Sequence, residues 1–249
     1  FENDLRTWIE PYFNAKINGS SFVLSGRVRP FSGKQEATLD LKLNNIDLMQ
    51  MKEYSPVPIG INLLTGYFDS NLQLIYTQEA DKKTKMLLSG NASLRELKFE
   101  NNTTKEPYNI NLEKLDVMLI DIDLSGQKSA KLVMELAGAS LVHSGEDKPA
   151  LSLPKLTANN IYIDSLEKNI VFGMVKLDQF KASMRRKEDG DLNLIQNFMP
   201  YLLEEKIRQR KVEKEKEVGP EVYEVPSEGA SKLWTAKIEG LKIVDAALN

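Results

Sequence analysis

The chain alternates between apolar and polar residues over most of its length. Ala37 to Leu43 has the sequence ATLDLKL, Phe68 to Tyr76 has FDSNLQLIY, and Lys85 to Leu94 continues the same pattern. Period-two alternation is typical of a sheet with one apolar face and one solvated face. Such a sheet must cover its apolar face with a second sheet, a helix, a membrane or a ligand, and that choice determines what the protein does.

Strand patterns follow one another with little interruption up to residue 184, and then the spacing changes. Residues 191–216 have helical spacing, which Pro200 is expected to break, and residues 204–217 are mostly Glu, Lys and Arg. We predict a mainly β fold: a long, strongly twisted and curved antiparallel sheet, an open groove or half-barrel, with one or two helices near residues 191–216. The expected divisions are a β domain at 1–199, a charged helix and linker at 200–230, and returning strands at 231–249.

A short pattern, an apolar residue followed by a small residue and glycine, recurs at uneven spacing. It ends at Gly26, Gly66, Gly90, Gly126 and Gly138. The pattern suggests one type of hairpin used repeatedly. Glycine inside a strand also marks bulges and bends, which a strongly curved sheet requires.

Composition excludes several classes of function. The chain of 249 residues contains no cysteine, so disulfides, thiol catalysis and cysteine-ligated metals are excluded. A net charge of −3 gives no electrostatic argument for nucleic acid. The longest uninterrupted apolar run, Val117 to Ile120, is far shorter than the roughly 20 residues of a membrane-spanning helix. Because the chain begins at Phe1, we expect a fragment of a longer protein whose targeting or anchoring segment lies elsewhere.

Few residues offer chemistry. His143 is the only histidine and the only candidate base for a catalytic triad, but no nucleophile motif accompanies it, so a surface position is expected. Asp121 and Asp123 share a face of a strand, and Val117 and Leu119 precede them on that face. We therefore expect them to be acidic residues at the solvent-exposed end of a strand and not an acid–base or metal site. We predict no catalytic, metal or cofactor site and no enzyme.

Several short motifs occur in a recognisable order. They are LSGRVRP at Leu24–Pro30, LDLKLNNIDL at Leu39–Leu48, LTGYFD at Leu64–Asp69, LQLIY at Leu72–Tyr76, LPKL at Leu153–Leu156, IYID at Ile161–Asp164, DGDLNL at Asp189–Leu194, and the strand Trp234–Val244. Together they resemble the AsmA-like family of bacterial envelope proteins, in the branch long labelled a domain of unknown function. The resemblance covers most of residues 20–199 and Trp234–Val244, and neither Phe1–Phe13 nor Glu204–Glu217 matches it.

The resemblance implies a location and a ligand. Members of this family are usually anchored in the inner membrane of Gram-negative bacteria and extend into the periplasm. They are related to bridge-like, repeating β-groove lipid-transfer proteins, in which phospholipid tails are thought to lie in an open apolar groove. The resemblance therefore implies that this chain is a periplasmic module, tethered to the inner membrane by a segment outside this fragment. Its partners would be a phospholipid or other acyl-chain lipid, the inner-membrane anchor and envelope proteins.

The predicted function is a non-enzymatic module that binds or conducts lipid in an apolar β-groove. Candidate groove residues are the apolar members of the alternating strands: Leu39, Leu41, Leu43, Phe68, Leu72, Leu74, Met86, Leu88, Ile120, Ile122, Leu132, Met134 and Leu136. Alternation alone equally allows these residues to form an ordinary core between sheet and helix. The alternative function is a structural or adhesive β module of the cell envelope that binds no lipid.

Overall fold

The computed structural model describes residues 7–51, 62–101, 107–125, 129–183 and 234–248. Within these ranges the chain forms one twisted, open sheet of 12 strands with almost no helix, which confirms the predicted mainly β fold. The helices expected near residues 191–216 and the linker expected at 200–230 lie outside the described residues.

In the described part of the chain the strands follow one another, and a single short helix interrupts them. The elements are β1 Tyr12–Ile17, β2 Ser20–Arg29, β3 Gln35–Asp47, α1 Leu48–Met51, β4 Asn62–Gln78, β5 Thr84–Asn101, β6 Tyr108–Asp123, β7 Ser129–His143, β8 Leu151–Asp164, β9 Asn169–Asp178, β10 Lys181–Ala182, β11 Thr235–Val244 and β12 Ala247–Leu248. The longest of them, β5, has 18 residues, so the central strands are two to three times as long as a typical strand of about 5–6 residues.

The sheet is an antiparallel meander from β1 to β9, in which each strand pairs with the next. The C-terminal strands depart from this order. β11 pairs in parallel with β9, and β12 pairs in parallel with β10. The sheet is therefore mostly antiparallel, as the sequence predicts, with a parallel part at its C-terminal edge because β11 returns to the sheet in the same direction as β9.

The apolar residues of consecutive strands line up across the sheet. Cross-strand partners in a sheet point to the same face, so the pairing register defines rows that run perpendicular to the strands. We call the longest of them the central row: Ile46, Phe68, Leu94, Leu115, Leu136, Leu156, Leu177 and Ile243. This row crosses eight strands without a polar residue.

We call the face that carries the central row the apolar face, and two further apolar rows run alongside the central row. On one side of the central row runs Leu24, Leu41, Leu72, Gly90, Leu119, Leu132 and Ile161. On the other side, nearer the start of β6, runs Leu63, Phe99, Ile110, Leu141, Leu151, Ala182 and Leu248. Apolar side chains therefore cover this face along the strands as well as across them.

A line of backbone irregularities, which we call the crease, separates the central row from the row near the start of β6. It contains Gly66, Glu96, Glu113, Gly138, Pro154, Gln179 and Asp245. The φ angles of Glu96, Gly138, Gln179 and Asp245 are positive, at 52, 62, 56 and 52°. The ladder of backbone hydrogen bonds between the strands is interrupted at this level. Left-handed residues and bulges bend and twist strands. The crease therefore bends strand after strand at the same level and gives the open sheet its groove-like shape.

The glycines of the short recurring pattern lie inside strands and not in hairpin turns, so the prediction of a repeated hairpin type is wrong for the four that are described. Gly26, Gly66, Gly90 and Gly138 belong to β2, β4, β5 and β7. The reason is clearest at Gly90, whose φ is +131° and where an added Cβ would lie 2.2 Å from the carbonyl oxygen of Asn71. Only glycine allows the two backbones to approach so closely.

Replacing Gly90 with alanine should therefore destabilise the sheet. The added Cβ clashes with backbone, which cannot move aside as a flexible side chain does, and the left-handed φ adds strain. We expect the free energy of unfolding to fall by about 2 kcal/mol or more, measured by urea denaturation. Gly33→Ala is the matched control, since a Cβ there meets nothing within 4 Å. Equal midpoints for the two variants would contradict this account of Gly90.

Candidate functional site

The apolar face is uncovered within the described part of the chain. Of those residues, only the short helix α1 packs against the sheet, at β4. No large side chain there is fully buried, as expected for side chains packed only by their neighbours in the same sheet. Two clusters of buried apolar residues occur among the described residues, one around Tyr108, Leu141 and Ala150 and one around Ala158, Ile161 and Val175. Apolar surface that the described residues leave uncovered is the feature of this sheet that most needs a functional explanation.

Exposure on this face increases towards the two edges of the sheet. Central-row residues such as Leu115 and Leu136 are half-buried, whereas Leu241 and Ile243 on the edge strand β11 are 56% and 51% exposed. Phe13 on the opposite edge strand β1 is 55% exposed. The lateral neighbours of each strand supply the partial burial, so the edge residues, which have a neighbour on one side only, remain open.

Twelve of the thirteen candidate groove residues lie on the apolar face and are half-buried. They are Leu39, Leu41, Leu43, Phe68, Leu72, Leu74, Met86, Leu88, Ile122, Leu132, Met134 and Leu136. The register brings them together: Leu39 pairs with Leu74, which pairs with Leu88, and Leu88 pairs with Ile122.

Ile120 is the exception, because it lies on the polar face. It pairs with Lys131, while its neighbour Leu119 pairs with Leu132 on the apolar face. Asp121 has a φ of +44° and marks a bulge between Ile120 and Asp123. Strict alternation would place Ile120 and Ile122 on one face, but a bulge adds one residue and reverses the order.

The same bulge places Asp121 and Asp123 on the polar face, whereas Leu119 lies on the apolar face. Asp121 accepts a hydrogen bond from Ser89 Oγ at 3.4 Å, and Asp123 accepts one from the Ser125 amide at 2.9 Å. The Ser125 hydroxyl and amide hold the pKa of Asp123 below its ordinary value. Each carboxylate thus has its own local partner. Among the described residues no group of three or more His, Asp or Glu side chains is placed to hold a metal ion.

His143 is buried, so the expected surface position is wrong. It is 8% exposed and pairs across the sheet with Tyr108, at the end of the apolar face, where Asn101 Nδ2 donates to the Tyr108 hydroxyl at 2.9 Å. Neither ring nitrogen of His143 has a hydrogen-bond partner among the described residues. The Ser144 amide donates to the Pro107 carbonyl and continues the β6–β7 ladder by one step past His143. The turn signal in the sequence does not reveal that His143 is buried.

Sequence reasoning missed a substantial part of the apolar face. Leu94, Leu115, Leu156, Leu177 and Ile243 all belong to the central row. Their alternation is visible in the sequence, but which residues stand opposite one another depends on the register, which the sequence does not display.

The opposite, polar face carries paired charges of both signs. Arg95 Nε lies 2.7 Å from Asp69, Lys114 2.8 Å from Asp116 and Lys176 2.8 Å from Asp178. Each of these pairs balances its charges within the sheet, as is typical of a solvated surface. No helix within the described ranges is long and apolar enough to cross a bilayer.

The best-connected of these pairs is Arg95–Asp69. Arg95 Nη2 also donates to Asn45 Oδ1 at 3.1 Å, and the Asn45 amide donates to Asp69 Oδ1 at 2.8 Å. Burial raises the pKa of Asp69, but the hydrogen bonds from Arg95 and Asn45 outweigh it and hold this pKa below its ordinary value. The network fixes the bulge of β3 at Asn45, whose φ is +55°.

No protein-family model, curated protein or solved structure matches this chain.

Replacing Arg95 with methionine should lower the stability of the fold at neutral pH by about 1 kcal/mol, because the pair is partly exposed and screened by solvent. Asp69 has a lowered pKa in the folded state, so its contribution is complete above the unfolded value of about 3.9 and is lost as the pH falls through the folded value. The difference between wild type and Arg95→Met, measured by urea denaturation, should shrink below about pH 4.

Lys98→Met is the control for this experiment, because Lys98 is exposed on the same strand and has no ion pair within the described ranges. It should change stability little at any pH. A wild-type advantage over Arg95→Met that stays constant under acidic conditions would contradict the role assigned to Asp69.

Proposed function

We propose that this protein is a non-enzymatic lipid-binding or lipid-conducting module, which holds acyl chains against its apolar face. The observation that carries the proposal is the central row, an unbroken line of apolar side chains across eight strands, against which the described ranges pack no second layer beyond the short helix α1 at β4. An ordinary core would have such side chains fully buried. Here six of the eight are half-buried, Ile46 is buried and Ile243 on the edge strand is exposed.

The dimensions suit a lipid path. Neighbouring strands are about 4.8 Å apart, so the seven steps of the central row span about 34 Å, close to the roughly 30 Å of a bilayer's hydrocarbon core. Acyl chains need no directional partner, since each buried CH₂ contributes about 0.8 kcal/mol. A site of this kind requires continuity of apolar surface and no catalytic group.

The asymmetry between the two faces supports the same proposal. The polar face balances its charges within the sheet through pairs such as Arg95–Asp69 and Lys114–Asp116, so it faces water without needing a partner. The apolar face has no such compensation and requires a ligand or another layer. The bend at the crease would shelter a bound chain from solvent on the inner side.

The location belongs to the proposal too. By resemblance to AsmA-like envelope proteins, the module would work in the periplasm of a Gram-negative bacterium, tethered to the inner membrane by a segment outside this sequence. Its ligand would be a phospholipid or another acyl-chain lipid, and its protein partners would be the anchor and other envelope proteins.

Detergent-free purification followed by native mass spectrometry and lipid extraction tests the proposal directly. Phospholipid should remain with the protein in repeated preparations, at a defined ratio of lipid to protein. Recovery of protein without lipid, together with no uptake of a fluorescent phospholipid from vesicles, would overturn the proposal. That result would favour a structural envelope module that binds no lipid.

Two neighbouring substitutions on β6 separate lipid binding from general effects on the sheet. Leu119→Asn introduces an amide on the apolar face and should reduce bound fluorescent phospholipid several-fold, because an unpaired polar group there costs about 1–3 kcal/mol. Ile120→Asn alters the adjacent residue on the polar face and should leave binding near the wild-type level. Equal losses in both variants, at equal thermal stability, would show that the apolar face is not the lipid surface.

A further inference from the structure

A cavity lies on the polar face, at the corner formed by the β1–β2 turn, the β3 bulge and α1. Its volume is about 550 Å³. It is lined by Asn18, Gly19, Ser20, Ser21, Asn44, Asn45, Asp47, Gln50 and Tyr67. Tyr67 and Asp47 are cross-strand partners beside Phe68 and Ile46 of the central row, so they point to the face opposite the lipid surface.

The walls of this cavity are held rigidly. Asn18 and Gly19 form a two-residue hairpin with φ angles of +48 and +85°, which is typical of a tight type I′ turn. Ser20 Oγ donates to the Asn45 carbonyl at 2.6 Å. The Arg95–Asp69–Asn45 network described above fixes the other side. A ligand would therefore meet a preorganised surface and would not have to order it.

Several polar side chains that line the cavity are left free. Within the described part of the chain, no hydrogen bond or ion pair is made by the side chains of Asn18, Ser21 or Asn44, or by the Tyr67 hydroxyl. These groups offer both donors and acceptors. The Tyr67 ring already lies near the Arg95 guanidinium, at 5.8 Å, and it adds a flat apolar wall.

The two carboxylates near the cavity already have hydrogen-bond or ion-pair partners. The Asp47 carboxylate accepts from the Met49 amide at 2.9 Å and from Gln50 Nε2 at 3.0 Å, and Asp69 behind the wall is paired with Arg95. No lysine or arginine lines the cavity. An anion would find no cation there, and a cation would have to compete with existing hydrogen bonds.

We propose that this cavity binds a neutral, hydroxyl-rich ligand, a mono- or disaccharide. Sugar hydroxyls donate and accept at once, which matches free amides and hydroxyls, and the apolar C–H face of a pyranose ring packs on an aromatic ring such as Tyr67. The cavity lies on the face opposite the apolar face. Sugar binding in the cavity can therefore be tested independently of the lipid proposal.

Saturation-transfer NMR with glucose, N-acetylglucosamine and maltose at millimolar concentration tests the inference on the whole chain. At least one sugar should give a binding signal. Asn44→Ala and Tyr67→Phe, which keeps the ring and its contact with Arg95, should each weaken binding about tenfold. Asn71→Ala, an exposed asparagine of β4 away from the cavity, should not. Thermal melting should show that all three variants remain folded.

Three results would overturn the inference. The first is no signal from any of the three sugars. The second is a sugar signal that Asn44→Ala and Tyr67→Phe reduce no more than Asn71→Ala does. The third is Asn44-dependent binding of ethanolamine or inorganic phosphate in place of the sugars, which would show that the cavity selects charge. Lipid recovery should be the same for wild type and Asn44→Ala, whichever result is obtained.

Discussion

Backbone pairing between long strands is the interaction on which everything else in this structure depends. Most domains stabilise a sheet by packing a second layer on its apolar face, and the described residues provide only α1 for that purpose. Stability must then come from the continuous ladder and from side chains packed sideways along the rows. Each residue between the two ends of the central row has an apolar neighbour on either side within the row. This lateral contact gives the partial burial that a single sheet layer allows.

The same dependence explains why irregular residues occur at one level in so many strands. Glu96, Gln179 and Asp245 are not glycines, yet they have left-handed φ angles of 52, 56 and 52°, each costing on the order of 1–2 kcal/mol. A single such residue would add backbone strain without changing the shape of the sheet. Repeated at the same level across the sheet, these residues bend all the strands together without breaking the ladder on either side, and a groove results instead of a flat ribbon.

The two faces of the sheet accordingly carry different chemistry. The apolar face offers apolar contact area without directional hydrogen bonds, which suits acyl chains. The polar face offers paired charges and, at one corner, a rigid cavity with free amides and hydroxyls, where Ser20, Asn45 and Arg95 hold the walls. Since the sheet is a single layer in the described ranges, the two proposed ligands would be separated by little more than the thickness of one backbone.

Alternation in the sequence was sufficient to establish the strands, the existence of an apolar face and twelve of the thirteen residues assigned to it. This was possible because side-chain direction in a strand has a period of two, whatever the partner strand. The exclusion of cysteine chemistry required only composition.

The tertiary structure decided what depends on register. Ile120 changes face because one extra residue at Asp121 reverses the alternation, and His143 is buried at the end of β7, where it pairs with Tyr108. The central row, the crease and the polar cavity exist only when particular residues of different strands stand opposite one another. Local sequence fixes the direction of each side chain within its own strand. It does not fix the pairing of strands, which is set by the bulges and by the packing of the whole sheet.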